Sequence, residues 1–274
     1  MADDFDPDEI VLLLGCGVIS LLGAWRWFRW LRPVSKLGAL PLLRAPLYSA
    51  VVLGFALLWH VIWNWADPEI RTTPVYVTLV LLMGGAWLTL AAALFPWLGT
   101  GLRDDVFEAR NPAAALALSG AVLGVLITFA GSNIGTGPSF WNNVFAGMVS
   151  TGALLALWLA LALGADVAGS VSRERDLGAG IRLGAFLVAE GLILGRAIAG
   201  DWHSAAKTVE DFAADGWAGA ALLAVAFPIE RWLQAGRATS SSSPWLAGVC
   251  PAVLYLSSAA AWLIHLGWWE GAPR

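Results

Sequence analysis

The sequence carries little charge for its length, since only 13% of its 274 residues are Asp, Glu, Lys or Arg. A soluble domain would carry about twice that fraction. No basic patch suited to tracking phosphates is present, which argues against nucleic acid as a partner. With 58% hydrophobic residues and a mean hydropathy of +0.70, the composition instead predicts that the lipid bilayer is the main partner of the chain.

Cysteines and catalytic motifs are equally scarce. Cys16 and Cys250 lie far apart within apolar runs, so we predict neither a disulfide framework nor a metal site and expect both side chains to be buried. The sequence has no Gly-x-Ser-x-Gly elbow, no cysteine with a nearby histidine and no pair of carboxylates at membrane depth. These absences argue against an enzyme.

Long apolar runs dominate what is present. The first run follows an acidic segment, residues 1–9, without the basic stretch of a cleaved signal peptide, so we expect the first helix to remain. Because a crossing takes about 20 apolar residues, we predict an all-α polytopic membrane protein with one membrane domain. The eight predicted helices cover residues 10–30, 46–65, 75–97, 112–131, 143–164, 177–199, 216–234 and 245–266.

Basic residues are segregated by side, which predicts the orientation. Eleven lie in or beside the loops that precede the even-numbered helices, and the opposite face has only Arg71, Lys207 and Arg274 beside many acidic residues. By the positive-inside rule, both termini lie outside the cytoplasm. Most of the 17 tryptophans cluster at predicted helix ends, which is typical of interfacial belts.

The starts of the even-numbered helices resemble one another. Arg110-Asn111-Pro112 aligns without a gap with Arg175-Asp176-Leu177, about 65 residues later, and weaker echoes occur at 44–46 and 242–244. Asn111 and Asp176 have the side chains preferred at helix N-caps. The pattern predicts four helical-hairpin repeats of like orientation, at approximately 1–66, 67–131, 132–200 and 201–274.

The paired helix starts also carry a resemblance to a known family. Residues 110–124, followed by residues 176–184, resemble the duplicated sequence motif of the YjfL-like bacterial inner-membrane proteins, a family of unknown function. The resemblance covers predicted helices three to six, about half of the chain. It implies this topology and a location in the bacterial inner membrane, and it implies no catalytic residue.

Three charges stand inside the sixth predicted helix. Arg182, Glu190 and Arg196 fall within one sector of that helix at 100° per residue. Each charge near the bilayer centre costs roughly 2.5 to 3.5 kcal/mol on insertion scales. The first copy of the repeat has Ala117 and Val125 at the positions of Arg182 and Glu190, so the repeat itself does not require the charges.

Several readings of these charges are open. In the structural reading, Arg182 lies about 9 Å from the cytoplasmic helix end and Arg196 near the outer end, so both snorkel to water or headgroups. In the functional reading, Glu190 is a protonatable or cation-binding group of a polar pathway, and the two arginines tune its ionisation or gather anions. In the third reading, this face contacts a second copy of the chain or another membrane subunit.

Other polar residues are weaker candidates for a site. Glu230 and Arg231 close the seventh predicted helix, where a local pair or snorkelling suffices. His60 and His265 lie toward the outer face at similar depth, where imidazoles on two helices can bind haem or a metal, although no motif supports such a cofactor. Residues 201–215 have the spacing of a short amphipathic helix on the outer surface, and the alternative is an ordered connector between the sixth and seventh helices.

The leading hypothesis for function is passage or sensing of a small ion or solute at the polar site on the sixth helix. The alternative is a non-catalytic scaffold or accessory subunit of a larger membrane complex. A third hypothesis is a membrane protein that binds haem or a pigment.

Overall fold

The computed structural model describes residues 7–31, 40–236 and 244–267. Short 3-10 and π-helical turns at Phe95–Leu98 and Leu102–Glu108 lie between two of the long α-helices. The α-helices are α1 (Pro7–Leu31), α2 (Leu40–Trp65), α3 (Pro68–Thr72), α4 (Pro74–Leu94), α5 (Pro112–Gly131), α6 (Phe140–Ala165), α7 (Val167–Ser172), α8 (Leu177–Ala197), α9 (Ala205–Gly236) and α10 (Pro244–Leu266).

Within the described residues, eight helices are long and apolar enough to cross a membrane: α1, α2, α4, α5, α6, α8, α9 and α10. The prediction of an all-α, multi-pass membrane protein is confirmed. The seventh predicted helix begins eleven residues earlier than expected, at Ala205 and not at residue 216, because α9 runs without a break to Gly236. Residues 205–215 therefore form neither a separate surface helix nor a connector. A glycine inside a helix costs only about 1 kcal/mol, so Gly216 does not interrupt α9.

The spanning helices form two layers, and the helices of each layer run in the same direction. In the first layer, contacts such as Gly54 with Leu126 join α2 to α5, and α8 and α10 follow in order. The second layer contains two packed pairs, α1 with α4 and α6 with α9, and the Trp87 side chain of α4 reaches from one pair to Thr151 of α6 in the other. We call the end at which α2, α5, α8 and α10 begin the basic end, and the opposite end the acidic end.

Glycines allow the two central helices of the first layer to touch backbone to backbone. A Cβ added at Gly120 of α5 would overlap the backbone of Gly184 of α8, and one at Gly131 would overlap that of Gly195. Small residues of this kind permit close packing of membrane helices. Helix α5 consequently lies at the centre of the bundle, buried along nearly its whole length.

Helix caps fix the basic ends of α5 and α8. The Asn111 side chain accepts hydrogen bonds from the amides of Ala113 and Ala114, and the Asp176 side chain accepts one from the amide of Gly178. Both residues were predicted as N-caps, and this is confirmed. Each follows an arginine with a left-handed backbone, with φ of 53° at Arg110 and 56° at Arg175; those two arginines complete the shared turn.

The two weaker matches to this motif, at residues 44–46 and 242–244, differ in the structure. Pro46 lies inside α2, which begins at Leu40, so residues 44–46 do not mark a helix start and that part of the pattern is wrong. Pro244 is the first residue of α10, whereas the serine before it lies outside the described residues. The division into four hairpin repeats stays a prediction.

Backbone hydrogen bonds join the loops at the acidic end. The amide of Gly135 donates to the carbonyl of Trp65 at 3.0 Å, and the amide of Gly200 donates to that of Ile134 at 3.2 Å. The backbone amide and the hydroxyl of Thr136 both donate to Asp201 Oδ1 at 2.8 Å. These bonds hold α2, α5 and α8 in register where they leave the bundle.

Helices α1 and α10 lie at the edges of their layers and keep one face uncovered. This explains the position of the cysteines: Cys16 on α1 is half-buried and Cys250 on α10 is exposed on the surface of the bundle. The expectation that both are buried is therefore wrong for Cys250.

Candidate functional site

Helix α8, the sixth predicted crossing, brings its three charged residues into three different environments. Arg182 is 1% exposed and Glu190 is 0% exposed, whereas Arg196 is half-buried. Counting 1.5 Å per residue from Leu177 at the basic end, Arg182 lies about 8 Å and Glu190 about 20 Å along the helix axis. Because the hydrocarbon core is about 30 Å thick, Glu190 lies well inside it.

Arg182 is neutralised by Glu230 of α9. Its Nε donates to Glu230 Oε1 at 2.6 Å and its Nη2 donates to Oε2 at 2.8 Å, with both side chains 1% exposed. The remaining nitrogen, Nη1, donates to the Ala247 carbonyl of α10 at 3.0 Å. A buried pair needs this kind of geometry and additional hydrogen bonds to offset its desolvation. The pair ties α8, α9 and α10 together.

This arrangement corrects two of the structural interpretations. Arg182 does not snorkel, because its partner lies on the neighbouring helix, 48 positions later in the sequence. Glu230 does not form a local pair with Arg231 either. Arg231 is exposed and donates to the Gly164 carbonyl of α6 at 3.3 Å. Residues one position apart on a helix point in different directions, which separates the two side chains.

Glu190 has no such partner among the described residues. Both of its carboxyl oxygens are buried without a hydrogen bond, and no cation of the described chain lies within 4.0 Å of them. The group points at α9, where a Cβ added to Gly219 would stand 2.5 Å from Oε2. The same point lies 3.3 Å from Leu157 of α6. Glu190 is thus enclosed where α6, α8 and α9 meet, in apolar surroundings.

Arg196 reaches the end of the neighbouring helix. Its Nε donates to the Gly267 carbonyl at 3.3 Å and its Nη2 to the Leu266 carbonyl at 3.5 Å, at the end of α10. A cation at this point satisfies free carbonyls and interacts favourably with the helix dipole. Arg196 therefore lies near the acidic end, as predicted, and its contacts there are with the protein.

The caps Asn111 and Asp176 differ in their surroundings. Asn111 is fully buried, and its side-chain amide also donates to the Val171 carbonyl at 2.7 Å. This bond joins the start of α5 to α7, the short helix that precedes α8. The structure gives both residues a role at helix starts, away from Glu190.

The two histidines of the haem hypothesis lie on α2 and α10, which are separated in their layer by α5 and α8. His60 stacks edge-on against Trp65 at 5.2 Å and hydrogen-bonds with Asn64. His265 lies 5.3 Å from the ring of Trp262. The two imidazoles are not brought together within one chain, and a haem or metal site stays a prediction.

Three features of the interior that bear on its polar groups were not identified from the sequence. Gly219 makes the space for the Glu190 carboxyl, and a glycine in an apolar helix carries no separate signal for that role. Tyr255 is fully buried in α10 against Phe186, and its hydroxyl has no hydrogen-bond partner among the described residues. The sequence signal for this buried hydroxyl was the presence of a tyrosine within an apolar run.

The third feature is a hydrogen-bonded chain through three helices. Trp87 Nε1 of α4 donates to Thr151 Oγ1 of α6 at 2.9 Å, and Thr151 shares a hydrogen bond with Thr128 of α5 at 2.9 Å. The adjacent Ser150 bonds back to its own helix and donates to the Ala146 carbonyl at 3.0 Å. Thr151 instead connects the two layers.

Part of the chain matches a known family. Residues 69–198, just under half of the chain, are similar to a Domain of Unknown Function (DUF350). The matched segment contains α4, α5, α6 and α8, and therefore Arg182, Glu190 and Arg196. Glu230 and Gly219, which contact two of these residues, lie beyond it on α9. No curated protein and no solved structure matched the chain.

Proposed function

We propose that the protein passes or senses protons across a bacterial inner membrane, with Glu190 as the group that takes up and releases the proton. The observation that carries the proposal is the enclosure of the Glu190 carboxyl inside a membrane-spanning helix without a hydrogen-bond or ionic partner among the described residues. Ionisable residues at membrane depth are costly and typically mark proton or ion pathways.

The surroundings of Glu190 favour a proton over a metal cation. Hard cations take about six or more oxygen ligands, whereas this carboxyl faces Gly219, a residue without a side chain, and neither of its oxygens has a hydrogen-bond partner among the described residues. Within the described residues there is no group of three or more His, Cys, Asp or Glu side chains that could hold a metal ion. A carboxyl alone is sufficient to exchange a proton.

The neighbouring ion pair supports this assignment. Arg182 is already bound by Glu230, so its charge is compensated and does not stabilise an ionised Glu190. An isolated carboxylate in a low-dielectric interior costs several kcal/mol. The packing therefore suits the protonated form, and ionisation requires water or a conformational change at the junction of α6, α8 and α9.

The resemblance to the YjfL-like proteins and the match to an uncharacterised domain support placing the protein in the bacterial inner membrane. Under this proposal, the basic end faces the cytoplasm, as the positive-inside rule predicts. Glu190 then lies nearer the outer side, and the Arg182–Glu230 pair lies between it and the cytoplasm.

The protonation state of Glu190 is tested by infrared difference spectroscopy on the purified protein in lipid. We expect a carbonyl band of a protonated carboxylic acid at neutral pH that is lost in Glu190→Gln. The matched control is Glu210→Gln, which removes an exposed carboxyl of α9 and leaves the band in place. A spectrum that is the same in Glu190→Gln and the wild type would show that Glu190 is ionised.

The second experiment measures function in proteoliposomes with a trapped pH-sensitive dye. Wild-type protein and Glu210→Gln are expected to dissipate an imposed pH gradient, and Glu190→Gln to do so several-fold more slowly. Equal rates in all three samples, with well-folded protein, contradict passage of protons. If other membrane subunits instead co-purify with the protein in a fixed ratio in mild detergent, this result favours the scaffold hypothesis over transport.

A further inference from the structure

A second polar site lies at the basic end, between α1 and α4, away from Glu190. The structure has a cleft of about 400 Å³ there, with Gly23 and Ala92 among its apolar lining and Arg26 and Arg103 among its charged lining. A neighbouring cleft of about 430 Å³ shares both arginines and adds Arg29. Volumes of this size match typical small-molecule sites.

The charge of the cleft is predominantly positive. The described linings of this cleft and its neighbour together contain three arginines and one acidic residue, Asp104. Arg103 forms an ion pair with Glu108 at 2.8 Å, but the two side chains are 64% and 58% exposed. An exposed pair of this kind contributes little, so Arg103 can turn toward an anion in the cleft.

The surroundings of the cleft indicate a ligand that reaches it from the bilayer. Helix α1 is almost entirely uncovered by protein, with 6% of its membrane window buried. Trp25 and Trp97, at the same end of the bundle, are 57% and 85% exposed. Tryptophans are enriched at the headgroup level of the membrane. The guanidinium of Arg29 lies 4.8 Å from the ring centre of Trp25, which holds this charge at that level.

We propose that the cleft binds the headgroup of an anionic glycerophospholipid, with Arg26, Arg29 and Arg103 around the phosphate. The apolar lining formed by Gly23 and Ala92 is suited to the glycerol and the first carbons of the acyl chains. Basic pockets between membrane helices on the cytoplasmic side bind such headgroups, and guanidinium groups suit phosphate oxygens. The site is independent of Glu190.

The test titrates the purified full-length protein with dioleoylphosphatidylglycerol or dioleoylphosphatidylcholine and counts bound lipids by native mass spectrometry. We expect the anionic lipid to bind at a concentration at least tenfold lower than the zwitterionic lipid. Since each basic residue near a membrane surface contributes enough to change affinity roughly fivefold, Arg29→Gln is expected to weaken phosphatidylglycerol binding by about that factor. The triple variant R26Q/R29Q/R103Q is expected to bind the two lipids equally.

The matched control is R110Q/R173Q/R175Q, which removes the same charge at the same end from exposed positions outside the cleft. It should keep the preference of the wild type. Equal binding of both lipids by the wild type, or equal losses in the two triple variants, overturns the proposal. Displacement of the lipid by glycerol 1-phosphate at similar concentration overturns it in favour of a soluble phosphate ligand. Arg29→Gln, an exposed substitution, provides the result if the triple variant does not fold.

Discussion

Gly219 of α9 lies directly against the carboxyl of Glu190 on α8, so that a Cβ at Gly219 would stand 2.5 Å from Oε2. The enclosed carboxyl therefore depends on a missing side chain of the neighbouring helix. Of the three charged residues of α8, Arg182 is compensated by Glu230 and Arg196 by the end of α10, which leaves Glu190 as the unpaired group.

Gly219→Ala is expected to destabilise the protein. The added methyl must displace the carboxyl or move α9, and overpacking of this kind costs about 1 to 3 kcal/mol. The measurement is thermal unfolding in detergent. Gly152→Ala is the control, because a Cβ at that position on α6 meets no atom within 4 Å. Combining Gly219→Ala with Glu190→Ala should restore much of the loss; equal stability of the two glycine variants would contradict the contact.

Breaking the Arg182–Glu230 pair is expected to cost more than removing both partners. Either Arg182→Met or Glu230→Met leaves one buried charge alone, at about 3 to 5 kcal/mol. The double variant leaves no charge, so its loss should be well below the sum of the single losses. A double-mutant cycle on reversible unfolding in mixed detergent micelles measures this coupling. Additive effects would mean that the two residues do not interact.

Gly120→Ala is expected to be more damaging than Gly219→Ala. At Gly120 the new Cβ overlaps the backbone of Gly184, whereas at Gly219 it meets the end of a side chain that can rotate. The helices α5 and α8 would have to move apart at this point, at a cost at or above about 3 kcal/mol. The same unfolding assay, again with Gly152→Ala as the reference, shows which of the two variants is less stable. A loss no greater than that of Gly219→Ala refutes the close packing.

The two caps are expected to respond differently to exchange of their side chains. Asp176→Asn keeps an acceptor for the Gly178 amide and should change stability by a few tenths of a kcal/mol at most, roughly. Asn111→Asp keeps the cap but loses the hydrogen bond to Val171 and places a carboxylate beside that carbonyl in a buried position. We expect a loss of about 1 to 3 kcal/mol, measured by thermal unfolding. Equal effects would show that Asn111 serves only as a cap.

Local chemistry was sufficient to predict the helices and their caps. Length and hydropathy identify each crossing because a membrane helix satisfies its own backbone hydrogen bonds and presents apolar side chains to lipid. Asn111 and Asp176 were predictable for the same reason, since a cap acts on amides two or three residues away. The errors at Pro46 and at residues 201–215 concern helix boundaries, where packing against neighbouring helices decides how far a helix extends.

The sequence by itself determined that this is an all-α membrane protein, that α8 carries three charges and that two helix starts share one motif. Only the tertiary structure decided what those charges do. Arg182 pairs with Glu230, which lies 48 positions later in the sequence, and Arg196 donates to a carbonyl at the end of α10. Glu190 lies against the backbone of Gly219. The cost of a buried charge depends on the groups within a few ångströms of it. Those groups come from helices that adjoin in the folded bundle and lie far apart along the chain.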